Sequence, residues 1–182
     1  MNIFATSIAL VALSAAAGAQ AQSAKLCITE GEVASLVVYA IPSAVEGIKT
    51  TCAPRLPAGG FLATEGDAFA ARYSALRDAR WAEAKSGFMK FGSRGRASEA
   101  EQMAVLANLP NDTVRPLVDA MISGQIAKSV APADCVKVER GMQLLAGIDP
   151  AQAGALVAFT MALTKPKNPS ICESPGTAQG TQ

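Results

Sequence analysis

CITEGEVASLVVYAIPSAVEGIKTTC, the stretch from Cys27 to Cys52, is a mostly apolar segment with a cysteine at each end. A capping-box pattern begins at Thr29 and predicts the start of a helix. The residue before a proline is disfavoured in the helical region, so we expect this helix to end at Pro42 and a second capping box at Ser43 to begin another. Two short helices would then run up and back, which places Cys27 beside Cys52.

A second segment with the same organisation lies between Cys135 and Cys172. One helix is predicted to begin at Cys135. Asp149 followed by Pro150 supplies the N-cap and the first helical residue of another. The returning helix carries the apolar sequence ALVAFTMAL before the chain reaches Cys172. The sequence therefore predicts two helical hairpins, each with a cysteine near either end.

Residues 1–21 have the features of a secretory signal peptide. Residues 3–18 carry no charge, and the sequence AQA ending at Ala21 has the small residues that signal peptidase recognises. An uncleaved signal anchor is the alternative, although the apolar run is short for a membrane span. We expect cleavage near Ala21, a helical domain over residues 22–172 and a disordered tail over residues 173–182, because the tail has no bulky apolar residue.

The cysteines are predicted to form two disulfides. No two of them are closer than 25 positions, so the chain has no C-x-x-C redox motif and no zinc-ribbon spacing. An even number of cysteines behind a secretion signal is typical of a disulfide framework. Four cysteines allow three connectivities, and the two hairpins favour Cys27–Cys52 with Cys135–Cys172. Each bond would stabilise the fold by about 3–4 kcal/mol in the chain-entropy model.

Composition excludes several classes of function. Half of the residues are hydrophobic and 17% are charged, which suits one globular domain with a real core. The 16 basic and 15 acidic residues nearly balance, so net charge gives no argument for a nucleic acid or an anionic membrane as a partner. The sequence has no histidine, which removes Ser-His and Cys-His nucleophiles and His-containing zinc sites. We expect no metal or other cofactor.

Helix start signals recur through the middle of the chain, and no segment has convincing strand alternation. A long helix is predicted to begin at Thr64, and further helices at Ser98 and Asp112. Loops rich in proline or glycine are predicted at residues 53–60 and 92–96. These patterns predict an all-α, single-domain bundle of about six or seven short helices stapled by two disulfides.

The run from Gly141 to Leu163 contains one charged residue, Asp149. Its length would suit a membrane span. However, Asp149 and Pro150 divide it into two helices that are each too short to cross. We expect two buried core helices here and no stable membrane insertion of the mature chain.

A cationic stretch interleaved with aromatic residues is one candidate site. Basic groups beside aromatic rings can hold a phosphate, a polyanionic glycan or a nucleobase. Lysines near the end of a helix are also favoured by the helix dipole alone. The candidate anion-binding residues are Lys85, Lys90, Arg94 and Arg96.

Aromatic residues are concentrated in the same part of the chain. Six of the eight that follow the signal lie between Phe61 and Phe91. Such a stripe usually forms core, but it can also line a pocket for an apolar ligand. The candidate pocket-lining residues are Phe69, Tyr73 and Trp81.

Carboxylate pairs are the remaining source of chemistry, because a helical secreted domain could hydrolyse glycans with an Asp/Glu pair. Glu65 with Asp67, and Asp78 with Glu83, are the candidates. Each lies where helix caps and surface positions need acids in any case. We therefore assign no catalytic residue.

The sequence favours an exported, non-catalytic helical protein that acts by binding an envelope protein or a small apolar or anionic ligand. The predicted signal peptide implies a periplasmic or secreted location, and the alanine-rich composition favours a bacterial source. The alternatives are a small secreted hydrolase with an Asp/Glu pair and a structural envelope component. No nucleic acid partner is expected.

Overall fold

The computed structural model describes residues 27–93, 97–167 and 170–172. The prediction of an all-α, single-domain bundle held by two disulfides is confirmed. The predicted signal peptide, residues 1–21, and the predicted disordered tail, residues 173–182, lie outside the described residues. Both therefore stay predictions.

Eight α-helices and two short 3₁₀ helices make up the regular helical structure of the described residues. The α-helices are α1 (Glu30–Cys52), α2 (Phe61–Thr64), α3 (Gly66–Ser74), α4 (Arg77–Gly92), α5 (Ala97–Ala107), α6 (Asn111–Ser129), α7 (Cys135–Ala146) and α8 (Pro150–Thr164). The 3₁₀ helices are Ala53–Arg55, directly after α1, and Pro132–Asp134, directly before α7.

α1 is the central helix, and α4, α6 and α8 pack along it. Its middle section, LVVYAI at residues 36–41, carries apolar side chains in every direction, as is typical of a helix covered on several sides. The capping box predicted at its start is confirmed. The Thr29 hydroxyl accepts a hydrogen bond from the N–H of Glu32 at 3.1 Å, and the Glu32 carboxylate accepts one from the N–H of Thr29 at 2.9 Å.

Pro42 does not end α1, contrary to the prediction. The helix continues through Pro42 to Cys52, and Ser43 lies inside it, where its hydroxyl donates to Asp119 of α6 at 3.1 Å. A proline inside a helix removes one backbone hydrogen bond and costs about 3 kcal/mol. Burial of α1 against three other helices exceeds this cost, so tertiary packing overrides the local signal.

The predicted disulfide connectivity is wrong, because the bonds are Cys27–Cys172 and Cys52–Cys135. An uninterrupted α1 is about 35 Å long. Cys27 and Cys52 therefore lie at opposite ends of it, whereas a disulfide joins Cα atoms less than about 7 Å apart. α7 and α8 turn through 117° instead of reversing, so the second hairpin does not close either. Each disulfide attaches one end of α1 to a segment distant in the sequence.

The long helix predicted to begin at Thr64 is divided into α2, α3 and α4. The Thr64 hydroxyl does not cap a helix but donates to the carbonyl of Gly60, 3.0 Å away. The chain turns again at Ala75 and Leu76, between α3 and α4. These breaks let the aromatic residues of α3 and α4 enter different parts of the interior.

Two main hydrophobic cores lie against different sides of α1. Val38 belongs to one and the adjacent Tyr39 to the other, because successive residues of a helix point about 100° apart. The first core contains Val38, Val45, Cys52, Phe61, Leu62, Phe69, Tyr73, Cys135, Met142 and Ala153. The second contains Tyr39, Trp81, Ala84, Val114 and Val118.

By length and composition, one helical stretch of the described residues could cross a membrane, and it is Glu30–Arg55, which includes α1. α7 and α8 pass the same test only when joined across their bend. α1 lies between α4, α6 and α8, so much of its apolar surface is covered by protein. The absence of stable membrane insertion stays a prediction.

Candidate functional site

The two described lysines of the candidate anion site point to different sides of α4. Lys90 is bound to the Glu32 carboxylate, with its Nζ 2.7 and 2.8 Å from the two oxygens. Lys85 lies five residues earlier, about 140° around the helix, and makes a long hydrogen bond of 3.5 Å to an amide oxygen. Arg94 and Arg96 lie outside the described residues. The four residues therefore stay a predicted anion site, with Lys90 already paired.

Glu32 is a buried carboxylate, with 8% of its surface exposed. Besides Lys90, it accepts hydrogen bonds from the Ser86 hydroxyl at 2.6 Å and from the N–H of Thr29. Burial by itself would raise the pKa of Glu32, but the hydrogen bonds from Lys90, Ser86 and Thr29 outweigh burial and hold the pKa below its usual value. These contacts join the start of α1 to the end of α4.

We expect Glu32 to stabilise the fold above about pH 4.5 and to lose this contribution in acid. Its pKa is lower in the folded chain than in the unfolded chain, so protonation favours unfolding. A contribution of about 1–2 kcal/mol is complete above the unfolded pKa and disappears as the pH falls through the folded pKa. Urea unfolding of wild type and Glu32→Gln from neutral to acid pH measures this difference. Glu65→Gln, at an exposed position, should behave as wild type; a Glu32→Gln variant that also does so would contradict the expectation.

The candidate pocket-lining residues are buried in the two cores. Phe69 and Tyr73 belong to the first core and Trp81 to the second, and each is at most 4% exposed. The Phe69 and Tyr73 ring centroids are 5.1 Å apart, and Trp81 lies 4.9 Å from the Tyr39 ring. None of these three residues lines the groove between α1, α4 and α6 or the cavity at the end of α8. The structure therefore does not bring these three residues together as one lining.

A polar groove of about 340 Å³ lies between α1, α4 and α6. In it, the Asp119 carboxylate accepts hydrogen bonds from the hydroxyl of Ser43 and from Arg77. The Arg77 guanidinium also stacks 4.0 Å above the Tyr39 ring. Burial raises the pKa of Tyr39 to about 12, with Arg77 opposing the rise and Asp119 adding to it. Glu46 lines the same groove and is exposed.

Three of the four carboxylates considered as catalytic pairs are held by other side chains. Asp67 pairs with Lys49, and Asp78 pairs with Arg115. Glu83 accepts a hydrogen bond of 2.6 Å from a serine hydroxyl of α1. None of the four candidate carboxylates lines the polar groove or the cavity at the end of α8.

α8 packs against α1 through its small residues. Ala153, Gly154 and Ala158 are buried. A Cβ atom on Gly154 would lie 2.7 Å from the carbonyl oxygen of Ala34 in α1, which is closer than real contacts allow. The backbones of α1 and α8 can meet this closely only because glycine has no side chain.

The large apolar residues of α8 consequently face outward. Leu156 is 53% exposed, Phe159 54% and Leu163 66%. These three residues are spaced by three and four positions and lie on one face of the helix; we call them the α8 stripe. The two helices predicted within residues 141–163 are confirmed, but the expectation that both are buried core helices is wrong. Leu144 of α7 is also 70% exposed.

The C-terminal cleft is a cavity of about 540 Å³ at the end of α8. Its apolar walls include Phe159 and Leu163 of the α8 stripe, together with Ile171. Lys165 and Lys167 line the same cavity. In the described part of the chain, neither lysine has an ion pair or a side-chain hydrogen bond. The cleft thus combines apolar walls with two lysines that have no ion pair within the described residues.

The segment after α8 forms one wall of the C-terminal cleft. The N–H of Ile28 donates to the Ser170 carbonyl at 3.0 Å, and the N–H of Cys172 donates to the Ile28 carbonyl at 3.0 Å. The disulfide from Cys27 to Cys172 closes this connection. The cleft wall is therefore attached to the start of α1.

Lys165 makes the turn that directs this segment away from α8. Its φ of 44° and ψ of 57° are left-handed, and it is the one described non-glycine residue with a positive φ. Glycine is usual at this position, and a side chain there costs roughly 1 kcal/mol. Pro166 follows, and the residue before a proline is normally extended. A lysine is thus held in a strained backbone conformation at the edge of the cleft.

The α8 stripe and the C-terminal cleft were not predicted from the sequence. A signal was present, because α8 has small residues at positions 153, 154 and 158 and large residues at positions 156, 159 and 163. Small residues allow close helix packing, so the face that carries them is the better candidate for burial. Apolarity averaged over the whole of α8 does not distinguish the face with small residues from the face with large residues.

No protein-family model, curated protein or solved structure matches the chain.

Proposed function

We propose that the protein is an exported, non-catalytic helical protein of the bacterial periplasm that acts by binding a small ligand at the end of α8. The signal-like residues 1–21 support export. Two disulfides among the described residues indicate folding in an oxidising compartment, which agrees with that location.

The observation that carries the proposal is the α8 stripe, which leads into the C-terminal cleft. Monomeric proteins seldom leave a contiguous set of large apolar side chains exposed, and such patches commonly mark binding sites. Leu156, Phe159 and Leu163 form a set of this kind, and two of them line the cleft. Covering these side chains with an apolar ligand would be favourable because it removes them from water.

A small ligand suits this surface better than a large protein partner. The cleft, at about 540 Å³, falls within the range of about 300–1,000 Å³ that is usual for small-molecule sites. Its walls are mostly apolar with a few polar groups, as such sites generally are. An envelope protein that covers the α8 stripe is the alternative occupant.

The two other classes of function have less support. Glu46 and Asp119 are carboxylates that share the polar groove, as a hydrolase would require. However, Ser43 and Arg77 both donate to Asp119, which gives it a role in joining α1, α4 and α6. A structural envelope component would need an extended self-association surface, and the described residues give no reason to assign one.

Nile red, a neutral fluorescent dye, tests for an apolar site on the mature protein. We expect saturable binding by wild type and a decrease in affinity of about tenfold or more for Phe159→Asp, because a charge in the apolar wall opposes binding. Phe159 is exposed, so the substitution should change stability little. Fluorescence titration gives the affinities, and circular dichroism confirms that the variant is folded.

Leu144→Asp is the matched control, because Leu144 is a similarly exposed apolar residue on α7, away from the cleft walls. It should keep the wild-type affinity. Absence of saturable binding by wild type, or equal losses in the two variants, would contradict the proposal. Dimerisation abolished by Phe159→Asp would instead assign the α8 stripe to protein association.

A further inference from the structure

We infer that the C-terminal cleft binds a single-chain anionic amphiphile, with Lys165 and Lys167 holding the head group and the α8 stripe covering the chain. The shared chemistry is an alkyl chain that ends in a carboxylate or a phosphate. This inference rests on the proposed function, since it names the ligand of the same site.

The charge of the cleft favours an anionic head group. Lys165 and Lys167 both line it, and both are exposed and unpaired within the described residues. Glu30 lines the cleft as well, but it belongs to the first turn of α1, where the helix dipole favours an acid, and it has an interaction of its own. The cleft therefore presents two ammonium groups that an anion can reach, which together would form charge-assisted hydrogen bonds.

The backbone conformation at Lys165 agrees with this assignment. The helix dipole explains a lysine near the end of α8. It does not explain a lysine in the left-handed conformation, where glycine would remove the strain. Strained residues of this kind cluster at functional sites. Here the strained residue is a lysine that lines the C-terminal cleft.

The shape of the surface suits a ligand with one alkyl chain rather than a bilayer lipid with two alkyl chains. From Leu156 to Leu163 the α8 stripe rises about 10 Å along the helix, and it enters the cleft at Phe159 and Leu163. The stripe is a single row of side chains on one face. An extended alkyl chain would lie along that row with its head group at the lysines.

Isothermal titration with three twelve-carbon ligands, each kept below the concentration at which it aggregates, tests the inference. Dodecanoate and dodecyl phosphate should bind to the mature protein, and comparison of their affinities identifies the preferred anion. Dodecyltrimethylammonium has the same chain with the opposite charge. We expect it to bind at least about tenfold more weakly, as loss of charge-assisted contacts implies.

The Lys165→Gly variant tests whether the Lys165 side chain binds the ligand or has only a structural role. Glycine adopts the left-handed conformation freely, so the variant should keep or raise the melting temperature, by roughly 2 °C. Its affinity for dodecanoate should nevertheless fall by about five- to tenfold, because one ammonium group is gone. The affinity for neutral Nile red should fall less than the affinity for dodecanoate, because Nile red has no charge for the ammonium group to bind. Lys128→Gln, at an exposed lysine of α6, should match wild type in all three measurements.

The outcomes distinguish this inference from the proposed function. Equal affinities for the anionic and cationic ligands, or an unchanged dodecanoate affinity in Lys165→Gly, would overturn the head-group assignment while Nile red binding still supports an apolar site. Binding to phosphatidylglycerol vesicles without binding to monomeric dodecanoate would overturn it in favour of a membrane surface. If neither dodecanoate nor Nile red binds to wild type, the inference and the proposed function both fail.

Discussion

Replacing Cys52 and Cys135 together by alanine is expected to lower the free energy of unfolding by about 4–5 kcal/mol. The bond joins the last residue of α1 to the first residue of α7, across a sequence separation of 83. Without it the unfolded chain gains the conformational entropy of this long loop. Both cysteines are almost completely buried in the first core, so packing is lost as well. This loss is comparable with the whole stability of many domains.

Urea unfolding measures the loss, and the Cys27→Ala, Cys172→Ala double variant provides the comparison. That bond spans a sequence separation of 145, but it joins two short segments outside the helices. Without the bond these segments loosen in the folded chain, so the native state also gains conformational entropy and the net loss of stability is smaller. We expect a smaller loss of about 2–3 kcal/mol, together with loss of Nile red binding, because the cleft wall is released.

An equal or reversed order of the two losses would contradict this account. Non-reducing peptide mapping tests the connectivity itself. A peptide that links Cys27 to Cys52 would show that α1 is not continuous, whereas links from Cys52 to Cys135 and from Cys27 to Cys172 are expected.

Gly47→Ala is expected to destabilise the fold by about 3 kcal/mol. Gly47 lies where α1 crosses α6, and a Cβ atom there would be 2.4 Å from the carbonyl oxygen of Ser123 and 3.1 Å from the backbone nitrogen of Ala127. Both obstacles are backbone atoms of α6, so no side-chain rotation can relieve the contact. The two helices would have to separate, which also disturbs the hydrogen bond from Thr51 to the Ala127 carbonyl.

Gly124→Ala is the matched control, because Gly124 also lies inside a helix but has no atom near its added Cβ. Alanine is the better helix former by about 1 kcal/mol, so this variant should be as stable as wild type or more stable. Thermal and urea unfolding of both variants give the comparison. A Gly47→Ala variant within about 0.5 kcal/mol of wild type would contradict the close approach of α1 and α6.

Two of the helix caps predicted from neighbouring residues formed, at Thr29 and Asp149, whereas those predicted at Ser43 and Thr64 did not. The capping box at Thr29 formed as expected. Asp149 caps α8, with its carboxylate accepting from the N–H groups of Ala151 and Gln152 at 2.9 and 3.2 Å. A cap depends on residues within one turn of each other, so its signal lies in the local sequence, but packing with distant segments decides whether a helix begins there.

The predictions about Pro42 and the disulfides were overturned by contacts between residues distant in sequence. Pro42 was expected to end a helix because local sterics disfavour its place there, and the disulfide pairing followed from that single step. Neither could be corrected from the sequence, because the energy that keeps α1 continuous comes from α4, α6 and α8. Arg77 and Asp119, which meet over α1, lie 42 residues apart and show no pattern that predicts their pairing.

The sequence by itself determined the helical class, the cysteine framework and the helix caps at Thr29 and Asp149, because composition and short-range spacing carry that information. Only the tertiary structure decided which cysteines pair and which face of α8 is exposed. Gly154 lets α1 and α8 meet at backbone distance, so the small face of α8 turns inward and the α8 stripe turns outward. The candidate site thus arises from how closely two helices approach, which depends on both helices together.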